Sequence, residues 1–150
     1  MRVIVQRVLQ ASVEVERNRI SEIGRGLMVL LGVHSEDKRE DADWLAGKLV
    51  NLRIFSDEHG LMNRSVQQIQ GEILVVSQFT LTASYKKGNR PSFIEAAKPD
   101  LAMPMYEYFV QRLRELGSCP VHTGRFGADM NVALINEGPV TIYMDSRNRE

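Results

Sequence analysis

Gly71-Glu72-Ile73-Leu74-Val75-Val76-Ser77-Gln78-Phe79-Thr80-Leu81 is a run of apolar and β-branched residues that turns polar at its C-terminal end. Such a run predicts a central strand over 71–81. A second stretch, Leu27 to Val33, is continuously apolar apart from Gly32 and requires cover on both faces. Upstream, Val3, Val5 and Arg7 share one face at strand period, and Val13 and Val15 resume the pattern, predicting two early strands. Glu16 to Arg19 is a polar turn, followed by a short strand at Ile20–Ile23 and a Gly24-Arg25-Gly26 break.

Two stretches carry helical period. Ser35 is a candidate cap for a helix with Glu36 and Asp37 in its first turn and Trp44, Leu45, Leu49 and Leu52 on its apolar stripe. Met105, Phe109, Leu113 and Leu116 mark a second helix, expected to start between Asp100 and Pro104 and to stop at Gly117. Strand-like character returns at Arg53-Ile54-Phe55. Met130–Glu137 and Val140–Met144 then give two strand-like runs joined through Gly138-Pro139. The expected class is α+β, or mixed α/β, with two main helices packed on a sheet.

The 150 residues are 43% hydrophobic and 25% charged, the size of one domain spanning 1–150. Nineteen Lys+Arg against nineteen Asp+Glu exclude the whole-surface basic field of indiscriminate nucleic-acid binders. Any RNA contact must be local, and DNA is not an expected partner. A single cysteine, Cys119, excludes an intrachain disulfide and fits a reducing compartment; it is assigned no role. No apolar run approaches the roughly 18 residues that span a bilayer, so no membrane contact and a cytoplasmic location are expected.

His34, His59 and His122 lack metal-ligand spacing, so no metal is expected. The phosphate-binding loop, the dinucleotide fingerprint and the G-x-S-x-G elbow are all missing, which leaves no support for a cofactor or a serine triad. Two features remain. Ser77-Gln78-Phe79-Thr80 places hydroxyls and backbone N–H groups at a strand end, where its ordinary reading is a strand emerging into solvent. Asn136-Glu137-Gly138-Pro139-Val140-Thr141 ordinarily reads as a hairpin turn. An X-Pro bond can also be cis at about 0.5–1 kcal/mol, bending the chain and turning carbonyls outward.

Taken in order along the chain, Met1-Arg2-Val3 with Arg7, Ser77-Gln78-Phe79-Thr80-Leu81, Gly88-Asn89-Arg90-Pro91-Ser92-Phe93, Thr123 to Met130 and Gly138-Pro139-Val140-Thr141 resemble the D-aminoacyl-tRNA deacylase family. The likeness runs end to end, with no departure at these positions. It implies a barrel-like sheet core, a homodimer, and hydrolysis of the ester joining a D-amino acid to the terminal adenosine of tRNA. Each active site would combine Ser77, Gln78, Phe79 and Thr80 of one subunit with Gly138 and Pro139 of the other.

On that reading an L side chain clashes with the Gly138-Pro139 backbone whereas a D side chain points to open space, and glycine passes the filter. Thr80 has no evident base to activate it, so oxyanion stabilisation by backbone N–H groups, assisted by the ribose 2'-hydroxyl, is the favoured route. Arg7 is expected to hydrogen-bond carbonyls near Gly138-Pro139, with a solvated strand end as its ordinary alternative. Met130 and Phe79 are expected to line the pocket for the terminal adenosine or aminoacyl group. Lys86, Lys87 and Arg90 are expected to contact phosphates at the acceptor end. Two rivals are a noncatalytic RNA-end or protein-binding module and a small-ester hydrolase using Thr80.

Overall fold

A computed structural model describes residues 1–149. One six-stranded sheet carries the architecture. Its strands are β1 (Arg2–Val15), β2 (Asn18–Ile23), β3 (Gly26–Gly32), β6 (Glu72–Ser77), β7 (Val121–Thr123) and β8 (Asn131–Asp145). A two-stranded ribbon, β4 (Phe55–Ser56) and β5 (Met62–Arg64), stands apart, and α1 (Arg39–Val50) and α2 (Pro99–Leu116) complete the fold. The sheet order is β2-β1-β3-β6-β7, with β8 added along β1. β2 curls back to contact β6 and β7, making the sheet nearly a closed barrel.

The curl produces two apolar layers. Leu27, Val29, Leu31, Ile73 and Val75 face α1 and α2, meeting Leu45, Leu49, Phe109 and Leu113. Met28, Leu74 and Val76 face the other way, against Val8, Val13, Val15 and Ile23 inside the curl. β3 and β6 are therefore buried on both faces, which is why their sequences show no polar alternation. Each fully buried Leu or Phe in these layers contributes about 1.5–3 kcal/mol.

Several expectations need correction. The two early strands are one: β1 runs unbroken for 14 residues and pairs with β2, β3 and β8. The central strand stops at Ser77, and Phe79–Thr82 close into a short 3-10 turn, with Leu81 N–H donating to Gln78 O at 3.2 Å. α1 begins at Arg39, not behind Ser35. The Asp37 carboxylate is already engaged with the Met1 ammonium and the His34 N–H, both at 2.6 Å, while Asp41 accepts the Lys38 N–H at 2.8 Å.

α2 begins at Pro99, so Pro104 lies inside it, on a solvent-exposed side where water can take the carbonyl its missing N–H leaves free. The hairpin reading of Gly138-Pro139 also fails, because β8 continues through it. Gln6 pairs with Thr141 and Val8 with Asn136, so residues 137–140 bulge out of the ladder opposite Arg7.

Candidate active site

A cavity of about 520 Å³ opens where β6 gives way to the 3-10 turn, within the usual range for a small-molecule site. Ser77, Gln78 and Phe79 form one wall and Met130 another. Sequence reasoning missed most of its apolar floor: Ala96, Ala97, Ala102 and Tyr106 lie outside the quoted motifs, and Phe126, inside the Thr123–Met130 stretch, was assigned no role. Only the helical stripe that buries Tyr106 beside Met105 and Phe109 hinted at it.

The floor is rigid. Tyr106 donates its phenol to Val75 O at 2.8 Å and packs on Phe126 with ring centroids 5.6 Å apart. Burial pushes its hydroxyl far above the ordinary phenol range, so it stays a neutral donor. Glycine at 124 leaves room for Met130 beside the cavity, since a Cβ there would lie 2.7 Å from the Met130 sulfur and push that side chain aside.

The 3-10 turn shapes the mouth. Among the described residues, neither the Phe79 nor the Thr80 N–H has a backbone partner, since the first bond of the turn is made by Leu81. Phe79 is 57% exposed and meets Phe93 edge-on at 5.0 Å. Thr80 is not a cavity wall, and its hydroxyl accepts from Gln78 Nε2 at 2.5 Å, with neither carboxylate nor imidazole bonded to it among the described residues. Arg2 ties the turn down, donating to Leu81 O at 2.9 Å and to Asp145 Oδ2 at 3.0 Å.

Gly138 and Pro139 lie elsewhere. They are exposed, joined by a cis peptide bond, and absent from the cavity walls. The register runs Ser77–Leu31–Val3–Met144, whereas the bulge sits level with Arg7 and Leu27. Three strand spacings across and four residues along separate the two motifs by about 20 Å. Gly138 has φ +137°, and a Cβ there would lie 2.8 Å from Val140 Cγ2 and 3.1 Å from Arg7 Nη2, so the position requires glycine.

Behind the bulge, Arg7 is 8% exposed, which overturns its reading as a solvated strand end. It donates to Glu137 O at 3.0 Å and Ile54 O at 2.5 Å. Lys86, Lys87 and Arg90 sit on an exposed loop after the 3-10 turn. No trio of His, Cys, Asp or Glu among the described residues is arranged to hold a metal.

A family described as D-Tyr-tRNA(Tyr) deacylase matches residues 4–145, nearly the whole chain. The chain belongs to this deacylase family. Relatives agree: a D-aminoacyl-tRNA deacylase of Flavobacterium johnsoniae is 60% identical over 150 residues, and one of Parabacteroides distasonis is 57% identical over 151, each covering 100% of both chains. Among solved structures, the c-Myc DNA Unwinding Element Binding Protein superposes with a TM-score of 0.92 at 44% identity, over 97% of this chain and 98% of that one. A probable eukaryotic D-amino acid tRNA deacylase gives 0.80 at 22% identity, over 95% and 97%, and shares the fold. The deacylase fold is thus the near-closed sheet with two helices described above.

Proposed function

We propose that this chain, as one domain over its 150 residues, hydrolyses the ester of D-aminoacyl-tRNA in the cytoplasm, where charged tRNA is found, and spares the L form. The observation that carries this reading is the pair of unpartnered N–H groups of Phe79 and Thr80 at the mouth of an apolar cavity. Two adjacent backbone donors suit the oxyanion that develops when an ester carbonyl is attacked. The apolar walls, Met130 included, suit the terminal adenosine. Water is the nucleophile and the substrate's own 2'-hydroxyl helps to activate it, since Thr80 has no base. Lys86, Lys87 and Arg90 meet the acceptor-end phosphates.

The filter for handedness comes from a second copy of the chain. The roughly 20 Å between Ser77 and the Gly138-Pro139 bulge within one copy, and the exposure of both segments, support a homodimer in which each bulge caps the other copy's cavity. The Gly138 and Pro139 carbonyls accept from the substrate ammonium, and Pro139 offers no competing N–H. With ammonium and ester fixed, an L side chain meets the Gly138-Pro139 main chain and a D side chain points away. Glycine has nothing to clash, so glycyl-tRNA is also hydrolysed.

The test is turnover of D-tyrosyl-tRNA and glycyl-tRNA by limiting protein, alongside a simple aminoacyl ester. Many turnovers of both tRNA esters, and little of the simple ester, are expected. Binding without turnover would leave an RNA-end module instead, and equal turnover of the simple ester would leave a general esterase.

A further inference from the structure

We propose that Arg25 is a positioning residue that holds the Glu137 carboxylate at ion-pair distance but out of hydrogen-bond reach of Arg7 Nε, reserving that N–H for the main chain of the 137–140 bulge. The inference rests on Gly138 and Pro139 being the discriminating element. Glu137 immediately precedes Gly138 and presents Arg7 with two rival acceptors. Its main-chain carbonyl is 3.0 Å from Arg7 Nε, and its carboxylate Oε2 is 3.6 Å from the same atom. A carboxylate is the stronger acceptor for a guanidinium, so left to itself it would take Nε and release the carbonyl.

Arg25 prevents the exchange. It grips both carboxylate oxygens, Nε to Oε2 at 3.2 Å and Nη2 to Oε1 at 3.1 Å, a two-pronged geometry that fixes direction as well as distance. Arg25 is itself anchored at both ends. Its guanidinium carbon lies 5.7 Å from the ring centroid of Phe55, which is fully buried and follows Ile54, the other carbonyl that Arg7 holds. Its own carbonyl accepts the Glu72 N–H at 3.2 Å, and Gly24 N–H donates to Glu72 Oε2 at 2.7 Å. A Cβ at Gly26 would fall 1.9 Å from Glu72 O, so this turn is pressed onto β6 with no room to drift.

A plain ion pair would lose the same whichever partner was removed. A guard does not: without Arg25 the carboxylate is free to capture Arg7, whereas without the carboxylate there is nothing to guard against. The experiment compares D-tyrosyl-tRNA with L-tyrosyl-tRNA as a ratio of kcat/KM in the wild type, Arg25→Met, Glu137→Ala and the double variant. Methionine keeps aliphatic cover over Phe55 while removing the charge, and thermal melting checks that each variant folds.

Arg25→Met is expected to lower the ratio about fivefold, the size of one partly exposed ion pair. Glu137→Ala and the double variant are expected to stay within about twofold of wild type on the same scale. Equal losses in both single variants, or no loss in Arg25→Met, overturn the inference. A crystal structure of Arg25→Met gives a second readout: Glu137 Oε2 within hydrogen-bond distance of Arg7 Nε supports the guard, and a carboxylate turned to solvent overturns it. Should the wild type fail to separate D from L, the reading of Gly138-Pro139 falls and that crystal structure alone decides the role of Arg25.

Discussion

Gln78 donates its side-chain amide to the Thr80 hydroxyl at 2.5 Å, so that hydroxyl is held as an acceptor by a group that cannot remove its proton, while the other hydroxyl of the 3-10 turn, Thr82, donates to Phe79 O at 2.8 Å. A threonine nucleophile needs a base, and Gln78 is not one. Thr80→Ala should therefore retain most of the deacylation activity. A tRNA ending in 2'-deoxyadenosine should lose about a hundredfold, the lower end of what a positioned proton-transfer group contributes. Single-turnover rates with the two tRNAs check this, and the reverse order would make Thr80 the nucleophile.

Arg7 supports the bulge from a buried position, bonded to the carbonyls of Glu137 and Ile54. Arg7→Ala leaves both carbonyls short of a charged donor and should destabilise the fold by about 2–3 kcal/mol. It should also relax discrimination against L-tyrosyl-tRNA. Arg7→Lys keeps the charge but not the fork, and should rescue stability better than discrimination. Urea unfolding alongside D and L rates separates the two effects; unchanged values in Arg7→Ala would remove the supporting role.

How much of this was legible in the sequence depended on the range of the forces involved. The doubly buried strands and both helical stripes were visible because burial writes itself into local periodicity, as in Leu27 to Leu31 and Met105 to Leu113. The 3-10 turn at Phe79 was not, because phenylalanine and threonine favour strands and only the end of pairing with β3 at Ser77 releases them. The continuation of β8 through Gly138-Pro139 was hidden for the same kind of reason: pairing with β1 on both sides overrides a turn-forming dipeptide. Ser35 misled because Asp37, two residues on, is claimed by Met1 from across the chain. The site motifs could be quoted from the sequence, whereas Tyr106, Ala96 and Ala97 become a cavity floor only through tertiary packing.

The Met1 ammonium and the Asp37 carboxylate meet at 2.6 Å with neither side exposed, and Ser146 Oγ accepts a second bond from the ammonium at 2.6 Å. Removing one partner leaves a buried charge unpaired. Asp37→Ala should lower unfolding free energy by about 3–5 kcal/mol, read as an earlier urea midpoint. A midpoint equal to wild type would show the pair to be unimportant.

Asp145 gives stability a dependence on acid. Partial burial pushes its carboxyl up, but hydrogen bonds from the Arg147 N–H and from Arg2, with further help from nearby positive charge, outweigh this and hold it below the ordinary carboxylate range. A folded value below the unfolded value of about 3.9 means the stabilisation is present above that pH and is lost as pH falls through the folded value. Asp145→Asn should therefore be less stable than wild type at pH 7, with the gap closing below about pH 4. Thermal melting across pH 2–7 checks it; a gap that stays constant would remove the link.

The most direct measurement is ester loss from matched D-tyrosyl-tRNA and L-tyrosyl-tRNA in the presence of catalytic amounts of the protein, each corrected for spontaneous hydrolysis. Rapid loss of the D ester with the L ester at background is the expected result. Equal loss of both would keep the hydrolase but discard the Gly138-Pro139 filter, and loss of neither would refute the proposed activity.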